Sequence, residues 1–312
     1  MAAGGERQVE ASRRADSPPG PARARPRFPA HGWVGAGVIG AAEAALVAGS
    51  GPAGQWFTPV VWTGYVLLMD AVVARLTGRS YLTAARGELV LVALTSVAAW
   101  WLFELYNAPR FWRGGADARG IWWQYHGLEP NLFLRRVGYD WAFATIFPAL
   151  FLTAAALRAT VFARARIRPW RPGPRVLDAA VAAGAAGAVL PLLVVSAWLV
   201  PLVWLSLALL LEPLNARRGR PSWLADLARG DASRLLALLG GGAVCGVLWE
   251  FWNYWALARW TYTVPYLGDV KVFEMPVLGY LGFLPFALEC YAVYHWVRGL
   301  LTQDGHLGPP VI

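Results

Sequence analysis

The chain has 312 residues, of which 57% are hydrophobic and only 15% charged, with a mean hydropathy of +0.42 and a formal net charge of +9. Ordinary soluble chains carry roughly 25% charged residues, so this one lacks the charge to cover a water-facing exterior. Composition excludes a soluble globular domain and points to a membrane. The positive charge does not imply nucleic acid. Lys271 is the only lysine, and the arginines cluster between apolar runs instead of forming a basic face. The partner expected is a membrane lipid or a lipophilic small molecule. Heavy use of Ala, Gly, Pro and Arg suits a GC-rich bacterial coding sequence. Cys245 and Cys290 lie in apolar runs without metal-ligand spacing, so they read as packing thiols, with no metal or cofactor expected.

Residues 1–30 are basic and lack apolar periodicity, which reads as a disordered tail with no signal-peptide core. Eight apolar segments follow at about 33–49, 57–74, 88–107, 137–160, 177–198, 200–214, 235–257 and 277–299. The predicted fold is all-α, a polytopic membrane helix bundle. The tail, the links at 75–86, 158–175 and 217–234, and Arg298 hold 21 of the 28 basic residues. Arg110, Arg113, Arg119, Arg135, Arg136, Arg259 and Lys271 fall on the other side. With an even number of spans, this bias puts both termini in the cytoplasm.

An internal repeat organises the chain. Residues 56–82, WFTPVVWTGYVLLMDAVVARLTGRSYL, match residues 198–224, WLVPLVWLSLALLLEPLNARRGRPSWL, at a constant offset of 142. Trp56, Pro59, Trp62, Asp70, Arg75 and Ser80 meet Trp198, Pro201, Trp204, Glu212, Arg217 and Ser222. Further on, WLFELYN at 101–107 parallels LWEFWN at 248–253, and Trp123-Gln-Tyr125 parallels Trp260-Thr-Tyr262. Gly138-Tyr139 and Pro148 parallel Gly279-Tyr280 and Pro285. Chance similarity among apolar helices explains shared leucines but not ordered Pro, Trp, acid and Arg. The layout read is two tandem four-helix repeats in parallel orientation, 31–165 and 166–300, with a C-terminal tail at 301–312. Parallel repeats are related by an axis along the membrane normal.

A charged group in hydrocarbon costs at least ~2.5–3.5 kcal/mol on insertion scales, so each acid in a span needs a reason. Glu104-x-x-Asn107 and Glu250-x-x-Asn253 recur in both copies. Their spacing puts acid and amide on one helical face, near the outer ends of spans three and seven. As a site, the acids would be general acids for a greasy substrate, which requires a protonated carboxyl group in an apolar pocket. As clamps, they would pin the repeats together by interhelical hydrogen bonds. Rings crowd the neighbourhood, and aromatic faces attract cations. Trp101, Trp123, Tyr125, Tyr139, Trp249, Trp260, Tyr262, Tyr280 and Glu274 are the candidate substrate-binding residues. An aromatic belt at the bilayer interface is the competing reading for most tryptophans.

Asp70 and Glu212 precede Arg75 and Arg217, which predicts interfacial ion pairs, and Glu43 lies in span one without a counterpart. His126 and His295 read as hydrogen-bonded structural residues. Gly242-x-x-x-Gly246 predicts a close-packing face on span seven. The order Trp249-Glu250-x-x-Asn253, then Trp260-x-Tyr262, then an acid and a proline opening the next helix, resembles the membrane lycopene cyclase domain. The resemblance spans about 45 residues in each copy. That family carries Pro-x-Glu-Glu before the next span, where this chain has Glu274-Met-Pro276 and later Pro285-Phe-Ala-Leu-Glu289. The whole chain is also similar to uncharacterised bacterial multi-pass proteins. The resemblance implies an isomerase or cyclase acting on an isoprenoid-like substrate by acid–carbocation chemistry, with Glu104 and Glu250 as acids. A proton- or ion-coupled transporter with the acids at the repeat interface is the alternative, and a non-catalytic partner protein is a third. An enzyme predicts a dry, ring-lined cavity open to lipid. A transporter predicts a polar route and broken helices.

Overall fold

A computed structural model describes residues 27–108, 120–301 and 310–312. Most of the two tails, at 1–26 and 302–309, and the stretch 109–119 with Arg110, Arg113 and Arg119 lie outside the described residues. Eight helices among the described residues are long and apolar enough to cross a membrane. They are α1 (Ala30–Val47), α2 (Phe57–Thr77), α3 (Arg86–Asn107), α4 (Leu132–Ala159), α5 (Pro174–Leu193), α6 (Ala197–Arg217), α7 (Ser233–Trp255) and α8 (Val277–Leu301). At 1.5 Å per residue, roughly 20 residues match a hydrocarbon core of about 30 Å. The chain is an all-α polytopic membrane protein.

Local chemistry explains where the ends depart from the apolar runs. α4 starts at Leu132, before the apolar run at 137, because the Asn131 carboxamide oxygen accepts from the Phe133 and Leu134 N–H groups at 3.0 and 3.1 Å. α2 stops at Gly78, whose φ of 81° closes the helix in the left-handed region. α6 is not continuous. It begins as a 3-10 turn at Ala197–Leu199, makes one turn at Val200–Val203, breaks at Trp204-Leu205, and resumes over Ser206–Arg217. The Leu207 N–H, which the break leaves without a helical partner, donates to Glu289 Oε1 of α8 at 2.8 Å.

The packing repeats itself. In the first half α1 packs on α2, and α2 and α3 pack on α4. In the second half α5 packs on α6, and α6 and α7 pack on α8. The halves meet reciprocally, α4 against α7 and α8 against α3. After α3 and α7 the chain forms short strands, β1 (Trp123–His126) and β2 (Arg259–Tyr262), which pair antiparallel. Trp123 faces Tyr262, Gln124 faces Thr261 and Tyr125 faces Trp260. Because β1 pairs with β2, the C-terminal ends of α3 and α7 lie on the same side, which gives the halves parallel orientation. Matched Trp-x-Tyr residues pair crosswise, as a two-fold axis through the Gln124–Thr261 pair requires. A small hairpin, β3 (Lys271–Val272) and β4 (Met275–Pro276), precedes α8.

Among the described residues Asp70 and Glu212 pair with no arginine, although His31 Nε2 stands 3.0 Å from Asp70 Oδ2, and both acids have further partners. Asp70 accepts from Ser80 Oγ at 2.7 Å and the Leu82 N–H at 3.2 Å, and Glu212 accepts from Ser222 Oγ at 2.6 Å and the Leu224 N–H at 3.0 Å. Each carboxylate caps the short helix that follows its span, Tyr81–Ala84 or Trp223–Leu227, where orphan N–H groups need acceptors. Arg217 pairs instead with Asp178 at 2.6 Å. Glu43 is not solitary, since Trp252 Nε1 donates to it at 3.0 Å and links α1 to α7. His126 Nε2 lies 2.9 Å from Thr261 Oγ1, whereas neither ring nitrogen of buried His295 has a hydrogen-bonding partner.

Gly242 and Gly246 form the close-packing face expected of them. An added Cβ would stand 2.3 Å from the Phe283 carbonyl oxygen at Gly242, and 2.3 Å from the Phe283 ring at Gly246. Gly246→Val should therefore cost about 1–3 kcal/mol of stability in detergent, the scale of overpacking. Gly40→Ala, with nothing within 4 Å of the new methyl, should change stability by about 1 kcal/mol or less. Denaturant titration of both variants compares them, and equal stability would contradict the packing.

Candidate functional site

The site is assembled by the last turns of α3 and α7. Asn107 closes α3, and its side chain holds the returning chain. Its Oδ1 accepts from the Trp122 and Trp123 N–H groups at 3.0 and 3.2 Å, and its Nδ2 donates to the Trp123 carbonyl at 2.9 Å. Asn253 does the same in α7, accepting from the Trp260 N–H at 2.9 Å and donating to the Trp260 carbonyl at 2.8 Å. Strand alternation then puts Trp123 and Tyr125, and likewise Trp260 and Tyr262, on one face. That face turns back to the glutamate one helical turn above each asparagine.

The two glutamates are met differently. Glu104 Oε1 accepts from Tyr125 Oη at 2.5 Å, Trp100 Nε1 at 3.1 Å and Trp123 Nε1 at 3.2 Å. Three donors on one oxygen leave it as an acceptor only. Glu250 Oε1 accepts from Tyr262 Oη at 2.8 Å, and that phenolic oxygen itself accepts from Trp260 Nε1 at 2.7 Å. Glu250 Oε2 is buried without a hydrogen-bonding partner among the described residues. Burial, and then the charge of the adjacent glutamate, pushes the Tyr125 and Tyr262 phenols well above their ordinary value. Both remain protonated at any physiological pH.

Between the halves and under the β1–β2 ribbon lies a cavity of about 480 Å³, within the usual range of small-molecule sites. Its walls are rings drawn from both halves. Trp100 stacks on Trp249 with centroids 5.3 Å apart, Trp123 stacks on Trp204 at 5.8 Å, Trp62 meets Trp249 at 5.6 Å, and Trp204 meets Phe286 at 5.3 Å. Among the described residues, Glu129 and Arg135 are the only acidic or basic side chains that line it. Exposed Leu134 stands at one flank, and exposed Leu205, Leu278 and Leu281 at the other.

Six of the expected binding residues line this space: Trp123, Tyr125, Tyr139, Trp249, Trp260 and Tyr262. Three do not. Trp101 faces away, donating from Nε1 to Asp140 Oδ1 at 2.7 Å under the Arg136 guanidinium, which lies 4.0 Å over its ring. Tyr280 donates to the Val272 carbonyl at 3.0 Å, and Glu274 gives its place to the next residue, Met275. Neither Glu104 nor Glu250 lines the cavity. Each stands behind a tyrosine that does. The asparagines are positioning residues that hold the ribbon. Sequence reasoning counted Trp100 among the rings around the acids but passed over Trp62, Trp204 and Phe286 as walls. The offset of 142 already aligned Trp62 with Trp204, and only their convergence in space was missing.

Searched against family models, curated proteins and solved structures, the chain matches none. Its own geometry carries the functional reading.

Asn107→Ala would strand two buried backbone N–H groups and a carbonyl. Unfolding in detergent should show a loss of about 1–3 kcal/mol, the penalty of buried unmade hydrogen bonds. Asn253→Ala removes one N–H acceptor and one amide donor and should cost less. A larger loss at Asn253 than at Asn107 would contradict this account of the ribbon.

Proposed function

We propose that this protein takes a lipophilic, isoprenoid-like molecule from the bilayer into the aromatic cavity and acts on it by acid–carbocation chemistry, as an isomerase or cyclase would. The observation that carries the reading is the Tyr262–Glu250 couple: a phenol on the cavity wall, backed by a carboxyl group with one oxygen unused. With Glu250 protonated, its O–H donates to the Tyr262 oxygen, which also takes the Trp260 N–H. The phenol's own hydrogen then turns to the cavity. An alkene's π electrons take that hydrogen as a new C–H bond, while Glu250 passes its proton to the phenolic oxygen and becomes the carboxylate. The neighbouring carbon is left cationic, and ring faces stabilise it. Loss of a proton from an adjacent C–H, returned through Tyr262, restores the acid and leaves an isomerised or cyclised product. Glu104, occupied by three donors, supplies an acceptor and negative charge on the other side. Two carboxyl groups in unlike environments thus divide the roles. The likeness of both Glu-x-x-Asn and Trp-x-Tyr elements to the lycopene cyclase domain supports the same substrate class.

One observation favours a transporter as the second reading. α6 is interrupted at Trp204-Leu205, two residues that line the cavity, and Glu289 meets the N-terminus of its resumed half. Broken spans facing a buried acid are a transporter feature.

The test uses deuterium oxide. Lipid that co-purifies with the protein is identified by mass spectrometry and incubated with the purified wild type. Protonation at carbon fixes non-exchanging deuterium in the product. Glu250→Gln and Tyr262→Phe should each lower that incorporation by ~10²–10⁴-fold, the scale of lost general acid catalysis, with little change in melting. Full incorporation by the Gln variant would sink the mechanism. Uptake of the lipid into proteoliposomes without chemical change would favour transport.

Orientation belongs to the same reading, since both termini in the cytoplasmic compartment of a bacterium put the ribbon and cavity in the outer half of the membrane. Reporter fusions after residues 120 and 268 should report outside, and those after 80, 170 and 225 cytoplasm. One reproducible reversal overturns it.

A further inference from the structure

The cavity differs at its two ends, and the repeat makes the difference legible. Gly138-Tyr139 aligns with Gly279-Tyr280, so Leu134-Arg135 corresponds to Met275-Pro276. Leu134 and Arg135 line one end and Met275 the other. A guanidinium therefore stands where the related end carries a thioether and a proline. The arginine is also aimed. Its Nε donates to the Glu129 carbonyl at 2.7 Å, which fixes the direction of the fork. The Glu129 carboxylate is turned instead to the Asn131 N–H at 3.1 Å, and no ion pair joins Arg135 to an acid among the described residues. Neighbouring Arg136, outside the cavity, is paired with Asp140 at 2.8 Å. An arginine that pairs with no acid among the described residues thus stands beside an apolar chamber, and its two terminal nitrogens match a carboxylate or phosphate in a bidentate fork.

We infer that the ligand of this cavity is an amphiphile, its apolar body among the rings and an acidic head group, phosphate or carboxylate, held by the Arg135 guanidinium. The inference rests on the lipophilic-ligand reading and adds a direction to it. The charged end enters beside α4, and the apolar end reaches the Met275 flank. Such a ligand would present its chain, not its head, to Tyr262. The guanidinium selects between ligands and takes no part in proton transfer.

Farnesyl phosphate and its uncharged alcohol, farnesol, are suitable probes, titrated against the full chain in detergent by native mass spectrometry. Wild type should bind farnesyl phosphate at least about tenfold more tightly than farnesol, the scale of a charge-assisted bidentate contact. Arg135→Gln should erase that preference while leaving farnesol affinity unchanged. Arg135→Lys, which keeps the charge but not the fork, should retain part of it. Inorganic phosphate should not compete at concentrations that saturate the phosphate ester, because the rings supply most of the affinity. Equal affinity of wild type for the two probes, or undiminished preference in Arg135→Gln, would overturn the proposal and leave the cavity reading standing, with Arg135 contacting bilayer phosphates only. Competition by inorganic phosphate alone would overturn it in favour of a free-anion site. Failure of wild type to bind either probe would overturn it together with the isoprenoid cavity.

Discussion

A chain that leaves a helix within reach of hydrocarbon must find partners for the backbone groups it frees, since lipid offers none. Asn107 and Asn253 meet that demand, and the site depends on how they do it. A carboxamide presents an acceptor and a donor side by side, the complement of a peptide's N–H and C=O. Each asparagine therefore pairs with its returning segment as a neighbouring strand would, at the tryptophan that opens Trp-x-Tyr. Once that residue is fixed, strand alternation fixes the tyrosine two positions on, and the glutamate one turn up the helix is in reach. The antiparallel pairing of β1 with β2 then locks one half to the other. Spacing of three in the helix and two in the strand is enough to build the wall of the cavity.

Duplication supplies the architecture, and departures from it make the two sides of the cavity unlike. Reciprocal packing of α4 on α7 and α8 on α3 makes an interface lined twice by the same residue types. Within it, Trp123 donates to Glu104 whereas its counterpart Trp260 donates to Tyr262. Glu104 Oε1 takes three donors and Glu250 Oε1 takes one, with Glu250 Oε2 buried and without a hydrogen-bonding partner among the described residues. α2 runs unbroken while α6 breaks at the cavity floor, and Arg135 has a proline for its counterpart. A perfect dyad would bind a symmetrical ligand in two equivalent ways. These differences remove that degeneracy.

The sequence carried the fold almost entirely. Apolar runs of span length, an Arg bias and a fixed offset are one-dimensional signals, and they describe a bundle whose elements are each about as long as the membrane is thick. The ends were less legible where a side chain and not hydropathy decides them, as Asn131 does for α4. Among site residues, Trp123, Tyr125, Trp260 and Tyr262 were readable because motif and repeat coincide there. Trp62 and Trp204 were visible as a repeated pair but not as walls, since α2 and α6 reach the cavity only through packing. Trp101 and Trp100 are adjacent in sequence and fall on opposite sides of the wall, because successive helical residues point about 100° apart. Composition cannot separate them. Asp70 and Glu212 do not take the arginines that follow them, for a similar reason: the nearest opposite charge in sequence is a weaker partner than a helix N-terminus folded back against the acid, and Asp70 meets His31 instead.

The buried acids show how far residue type alone can carry a functional claim. Glu43, Glu88 and Glu289 each accept a hydrogen bond from another element, from Trp252, Tyr294 and the Leu207 N–H respectively. These are clips between helices, the ordinary use of polar groups in membranes. Glu88 with Tyr294 is even the same acid–phenol couple as Glu250 with Tyr262, and its second oxygen is likewise buried and unpartnered. Yet Tyr294 packs against Phe151 and His295 and does not line the aromatic cavity. Tyr262 lines a chamber of about 480 Å³, so the same bond that clips one pair of helices stands, in the other place, at a cavity wall. What sets the two couples apart is that cavity, and part of its wall is the ribbon that Asn107 and Asn253 hold.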